Sequence, residues 1–197
     1  MKDPRDDLEL LEAWRDGDEA AGGNLFDRYF DALYRFFRNK VRDGSEDLVQ
    51  ATFLSCVASR DRFRGDSTFR SYLFTVARSK LYDHLRSRRR LDGRLDFTEV
   101  SVADLGTSPS GVVARREEEQ LLQLALQRLP LELQIAIELF YFEGLSGSEV
   151  ATVLEIAEGT VRSRLRRALA MLRQVIDQQG VSPQLARNTM SLITGEG

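Results

Sequence analysis

Residues 145–168 read Leu145-Ser146-Gly147-Ser148-Glu149-Val150-Ala151-Thr152-Val153-Leu154-Glu155-Ile156-Ala157-Glu158-Gly159-Thr160-Val161-Arg162-Ser163-Arg164-Leu165-Arg166-Arg167-Ala168. Val150, Ala151 and Leu154 fall on one face of a short helix near Ser146–Leu154. After a short turn, Val161, Leu165, Ala168, Leu169, Leu172 and Ile176 form the inner stripe of a second helix near Glu158–Ile176. Ala151 is small where the two helices must cross closely. The pattern is a helix-turn-helix. It sets Arg162, Ser163, Arg164, Arg166 and Arg167 outward near the start of the second helix, just after Thr160. Recognition helices put their N-terminal residues on base edges in the major groove. Arginine density at that place is what binding to phosphates needs.

Upstream, Leu122, Ala125, Leu126 and Leu129 form one helical stripe ended by Pro130, and Leu133, Ala136, Ile137 and Phe140 form the next. Residues 91–116 hold Gly93, Gly106, Gly111, Pro109 and several Ser and Thr, and read as an interdomain linker. Its reach is at most roughly 85 Å. Before it, residues 1–90 form a second helical module, with twelve of the seventeen aromatics lying between Phe26 and Tyr82. Phe26, Tyr29, Phe30, Leu33 and Phe37 mark one helix face. Asp43-Gly44-Ser45 breaks that helix, and the next runs from about Glu46 to Ser59. Its inner face is expected at Val49, Phe53, Cys56 and Val57, with Asp47 and Gln50 elsewhere. A long helix capped by Asp66 or Ser67 then reaches about Arg90 over a stripe of Phe69, Leu73, Val76 and Ala77. Residues 177–197 read as a tail with room for one short helix. The expected fold is all-α: two small helical domains, 1–90 and 117–176, joined by a flexible linker.

The net charge of −3 conceals blocks of opposite sign. Residues 1–24 carry a net −5, residues 60–94 a net +7, and residues 160–173 five arginines without an acid. Residues 129–159 hold six glutamates and no base. Such blocks predict surfaces with different partners. Either acidic block is placed to cover a basic face electrostatically. In the stretch 78–90, Arg78, Lys80, Arg86, Arg88, Arg89 and Arg90 follow Tyr72 and Phe74. Rings beside cations suit single-stranded or opening DNA, because any base stacks on a ring.

Enzyme chemistry finds little purchase. One histidine, His84, and one cysteine, Cys56, cannot build a His/Cys zinc site, and no glycine-rich phosphate loop is present. Asp16 and Asp18 are the pair a metal-dependent nuclease would need, and a solvated helix end explains them as well. A single cysteine and the absence of any apolar run near ~20 residues predict a cytoplasmic protein with no membrane insertion, no metal and no cofactor.

Asp47-Leu48-Val49-Gln50-Ala51-Thr52-Phe53, Asp61 through Leu73, Ala77-Arg78 and Asp83-His84-Leu85-Arg86 together resemble region 2 of the sigma-70 family, closest to its extracytoplasmic-function group. Arg128-Leu129-Pro130 through Leu172-Arg173 resembles region 4 of the same group. The resemblance spans about residues 10–90 and 117–176. It implies a promoter-specificity subunit of bacterial RNA polymerase, not an enzyme, with core polymerase and promoter DNA as partners and an anti-sigma factor as a further candidate. On that resemblance Asp47, Leu48, Gln50 and Phe53 would bind polymerase. Phe63, Arg64, Arg70, Tyr72, Ser79, Lys80, Asp83, His84, Arg86, Arg88 and Arg89 would serve the −10 element. Thr160, Arg162, Ser163, Arg164, Arg166 and Arg167 would read the −35 element. The chain departs from many relatives in having Cys56-Val57 and Tyr72 in place of tryptophan and Ser79 in place of asparagine. It also has Glu155 where glycine usually relieves left-handed strain. A stand-alone helix-turn-helix regulator would account for 117–176 and leave 46–90 unexplained.

Overall fold

The computed structural model describes residues 3–60, 67–89, 96–106 and 116–195, with 88 and 89 by backbone alone. Among these residues there are nine α-helices and no strand. The chain divides into two units, Met1–Phe37 with Gly44–Leu91, and Arg38–Asp43 with Asp92–Gly197.

The first unit contains α1 (Asp7–Arg15), α2 (Glu19–Arg38), α3 (Ser45–Ser59) and α4 (Phe69–Arg89). Sequence reading missed α1, which begins with a capping box. The Asp6 carboxylate accepts from the Leu8 and Glu9 amides, and the Glu9 carboxylate accepts from the Asp6 amide. The N-terminal acids are engaged close by. Arg5 pairs with Asp3 at 2.8 Å and Asp18 at 3.2 Å, and Arg28 pairs with Asp7 at 2.6 Å. Hydrogen bonds from Arg5 hold the Asp3 carboxyl down to about 2. Three of the block's acids, Asp3, Asp7 and Asp18, are thus held in ion pairs within their own unit.

Aromatic rings knit these helices together. Trp14 meets Phe26 edge-on at 5.2 Å, Phe26 stacks on Phe53 at 4.3 Å, and Phe36 meets Phe74 at 5.7 Å. Phe30, expected on the inner face of α2, is exposed instead, and Ala21, Leu25 and Phe36 join the buried side. Gly22 sits inside α2 because Trp14 lies on it: a Cβ there would stand 2.6 Å from the indole nitrogen. Gly22→Ala is accordingly expected to destabilise the protein by about 1–3 kcal/mol through overpacking, despite alanine's better helix propensity. Thermal unfolding of the variant measures it. At the start of α4 the hydroxyl of Thr68, not Ser67, accepts the Ser71 amide. Asp66 lies outside the described residues.

The second unit contains α5 (Glu117–Leu126), α6 (Leu131–Ile137), a π-helical turn (Glu138–Phe142), α7 (Gly147–Leu154), α8 (Glu158–Asp177) and α9 (Pro183–Thr194). Leu121, Leu122, Ala125, Leu129, Leu133 and Ile137 meet Ala168, Leu172 and Ile176 in its core. Part of the expected linker is built into this unit. Phe97, Val102 and Leu105 are buried, Ser101 bridges to Pro130, and the Leu131 and Glu132 amides donate to the carbonyls of Val100 and Phe97. The tail also takes part, since α9 packs on α5 and α8. Lys40 of this unit is fully buried and paired with Glu138, whose other carboxylate oxygen accepts from Gln134 at 2.9 Å. Burial pushes the Lys40 amine below its ordinary range, and Glu138 opposes that shift.

Candidate nucleic-acid interface

α7 and α8 form the helix-turn-helix. Ser146 and Glu149 close a capping box at the start of α7, a Ser-x-x-Glu signal legible in the sequence. α7 ends at Glu155, which adopts φ 56° and ψ 44°. Among the described residues it is the one non-glycine residue with positive φ. The left-handed turn aims α8 and closes with the Ile156 amide donating to the Ala151 carbonyl at 3.1 Å. A side chain there costs about 1–2 kcal/mol. Glu155→Gly is expected to raise stability by about 1 kcal/mol, the gain being trimmed by the entropy glycine loses on folding. Chemical denaturation checks it.

No side chain caps α8 at Ala157. Val161, Leu165, Ala168, Leu172 and Ile176 are its buried stripe. The helical period then puts Ser163 and Arg167 opposite that stripe, and Arg162 and Arg166 along one flank. Thr160 and these four residues are exposed, and the Ser163 hydroxyl donates to the Thr160 carbonyl at 2.8 Å. Arg164 corrects the expectation. It lies on the other flank, half-buried, in an ion pair with Glu132 of α6. Its place three residues after Val161 turns it toward α6, so it braces the helix instead of reaching outward.

In the first unit, α4 sorts its candidates by face. Tyr72, Ser79, Asp83 and Arg86 recur at i, i+7, i+11 and i+14, on the side away from the buried Leu73, Ala77 and Leu81, whereas Lys80, seven residues after Leu73, is half-buried at the edge of the buried side. Ser79, Asp83 and Arg86 are exposed, while Tyr72 is half-buried and shares a short hydrogen bond with Ser59. Arg86 and Arg78 hold their guanidinium groups 5.8 Å and 4.7 Å from the Tyr82 ring. Arg70 and His84 do not share the outward face. Both are half-buried on the same side as the buried stripe, and His84 approaches the Gly44 turn before α3. Phe63 and Arg64 lie outside the described residues, as do the side chains of Arg88 and Arg89.

α3 presents Asp47 and Gln50 to solvent, whereas Leu48 is buried and Phe53 is half-buried against Phe26. The expected inner face is thus corrected: Leu48 and Thr52 replace Phe53 and Val57. Leu54 is 61% exposed and Val57 40%, on the same outward face as Asp47 and Gln50. The sequence carried this signal in the spacing 47, 50, 54, 57, which places two apolar residues where a solvated helix would carry polar ones.

Among the described residues no helix is long and apolar enough to cross a membrane, and no cluster of metal-ligating side chains is present. Family models match in two places: Sigma-70 region 2 over residues 25–91 and Sigma-70 region 4 over 119–172. RNA polymerase sigma-H factor of Pseudomonas aeruginosa is 32% identical over 183 residues, covering 87% of this chain and 92% of the relative. ECF RNA polymerase sigma-E factor of Escherichia coli K12 is 30% identical over 196 residues, covering 95% and 100%. The chain belongs to the extracytoplasmic-function group of the sigma-70 family. It is a promoter-directing sigma factor, neither an enzyme nor a stand-alone regulator. Solved sigma-factor structures agree. CnrH in complex with the cytosolic domain of CnrY superposes with TM-score 0.65 at 26% identity over 87% of this chain and 97% of CnrH. RpoE of Bartonella quintana in complex with the anti-sigma factor NepR gives 0.59 at 28% identity over 75% of this chain and 91% of RpoE. The α3 and α4 faces of this sigma factor lie in region 2, and the α8 face lies in region 4.

Proposed function

We propose that three outward helix faces divide the work of promoter recognition. The α3 face, with Asp47, Gln50, Leu54 and Val57, docks on core RNA polymerase. The α4 face, with Tyr72, Ser79, Asp83 and Arg86 and with Lys80 at its edge, takes the −10 element as it opens. The α8 face, with Thr160, Ser163 and Arg167 flanked by Arg162 and Arg166, reads the −35 element as duplex. The observation that carries this reading is Leu54. Leu54, 61% exposed, and Val57, 40% exposed, stand together on one face of α3 with Asp47 and Gln50 beside them, an apolar pair bordered by polar residues of the kind that marks a protein interface. Work on DNA with polymerase calls for a cytoplasmic location, with the α3 and α4 faces carried by the first unit and the α8 face by the second. The solved relatives support one further partner, since RpoE is bound to an anti-sigma factor.

Leu54→Asp with Gln50→Ala is expected to weaken core-polymerase binding by roughly tenfold or more, since changes at buried apolar anchors cost about 2 kcal/mol. Both sites are solvent-facing, so circular dichroism should be unchanged. Pull-down of core enzyme with undiminished yield would reject α3 as the docking face.

A further inference from the structure

Tyr82 stands on α4 at the border between two faces. On one side Ala77, Leu81 and Leu85 are buried; on the other Ser79, Asp83 and Arg86 are exposed. Tyr82 is itself 8% exposed, and it is not among the residues that the resemblance to region 2 assigns to the −10 element. Arg78 and Arg86 lie one turn before it and one turn after it, at i−4 and i+4. Arg78 holds its guanidinium carbon 4.7 Å from the centre of the Tyr82 ring, and its Nε donates to the Tyr82 Oη at 3.1 Å. Arg86 holds its guanidinium carbon 5.8 Å from the same ring. Both distances lie within the range at which a cation is drawn to an aromatic face. The three side chains form a ladder along α4: cation, ring, cation.

Packing alone does not call for this ring. Leu81 and Leu85 carry the buried side next to it, and an aliphatic residue at 82 would continue that side. Tyrosine adds a hydroxyl and a flat π-face. The hydroxyl is met by Arg78, which holds the ring in one orientation. The face is met by Arg86, whose long side chain would otherwise sample many rotamers at its exposed position. A guanidinium already held in place loses less freedom when it meets a strand, and so binds more tightly through the same contacts.

We propose that Tyr82 is a positioning residue for promoter opening: braced by Arg78, its ring sets the Arg86 guanidinium in the place from which it meets the −10 strand as the duplex separates. Tyr82 and Arg78 thereby join the −10 machinery, Tyr82 acting through Arg86 and not by touching DNA. The proposal rests on the reading of the α4 face given above.

A double-mutant cycle on holoenzyme tests it. Core RNA polymerase is assembled with the full chain or a variant, and the complexes are isolated by gel filtration. They are then mixed with a promoter selected from templates randomised over both elements. The rate at which thymines of the −10 element become reactive to permanganate measures opening. Tyr82→Leu should slow opening roughly two- to tenfold, the benefit of one immobilised side chain. Arg86→Ala should slow it at least as much. The double variant should open no more slowly than Arg86→Ala alone, because a ring that acts through Arg86 then has nothing to position. Losses that multiply in the double variant give Tyr82 a role independent of Arg86 and overturn the proposal. Opening unchanged by Arg86→Ala rejects Arg86 as a −10 contact, and the proposal with it, whatever Tyr82→Leu does. Should Tyr82→Leu not fold, Arg78→Met decides, since it keeps the ring in place and removes the bond that braces it. Its loss should be about twofold or more in the unaltered chain and vanish beside Arg86→Ala. No loss, or an equal loss beside Arg86→Ala, rejects the ladder.

Discussion

Replacing Lys40 by alanine is expected to destabilise the second unit by about 3–5 kcal/mol, the cost of stranding one partner of a buried ion pair. The Lys40 side chain is 0% exposed and that of Glu138 4%. Gln134 satisfies one carboxylate oxygen and leaves the other to the ammonium. Without Lys40 the carboxylate must take up a proton or unfold its surroundings. The pair itself is another matter. Two charges brought out of water recover little net stability, so Lys40→Met combined with Glu138→Leu should restore most of the loss. Urea unfolding followed by helical ellipticity measures all three proteins. A single substitution costing under about 1 kcal/mol would place the ammonium in water, at the value of an exposed pair.

Arg167→Ala is expected to cost about 1–3 kcal/mol of promoter affinity and to relax preference at one position of the −35 element. Ser163 and Arg167 face directly away from the buried stripe of α8, and an arginine there is placed to engage guanine with two hydrogen bonds. Arg162 and Arg166 stand along one flank, where contact to phosphates is expected. Their removal should weaken all sequences alike and lower the salt slope by about one unit each. Arg164→Ala should leave base preference alone and act on stability, because Glu132 loses its ion-pair partner. Binding of each variant to a randomised −35 library separates these outcomes. Uniform weakening by all four arginine variants would make α8 an electrostatic clamp and not a reader.

The helix-turn-helix was legible because its two stripes agree with its turn. Val150, Ala151 and Leu154 meet Val161 and Leu165, and all are buried. The family motifs, with the linker between them, carried the rest of the architecture. Periodicity fell short where one helix has more than one apolar face. Phe30 and Val57 looked like core and are exposed, because α2 and α3 have more apolar residues than their unit can bury. Arg164 was misplaced because five basic or polar residues among the six positions 162–167 give no sign of which one faces a glutamate 32 positions upstream. Residues 96–106 read as linker because glycine and serine signal turns, and a turn can pack as well as span. The burial of Phe97, Val102 and Leu105 depends on α6, which composition does not see. α1 escaped although Asp6 and Glu9, three residues apart, are its capping box.

Transcription in vitro tests the central claim most directly. Core RNA polymerase is combined with the full chain and a library of templates randomised over both promoter elements. The account predicts RNA only when the chain is present, from templates enriched at two blocks of sequence. Substitutions at Ser163 and Arg167 should alter the upstream block, and substitutions at Ser79 and Lys80 the downstream one. Transcription independent of the chain, or tight and selective promoter binding by the chain without polymerase, would contradict it.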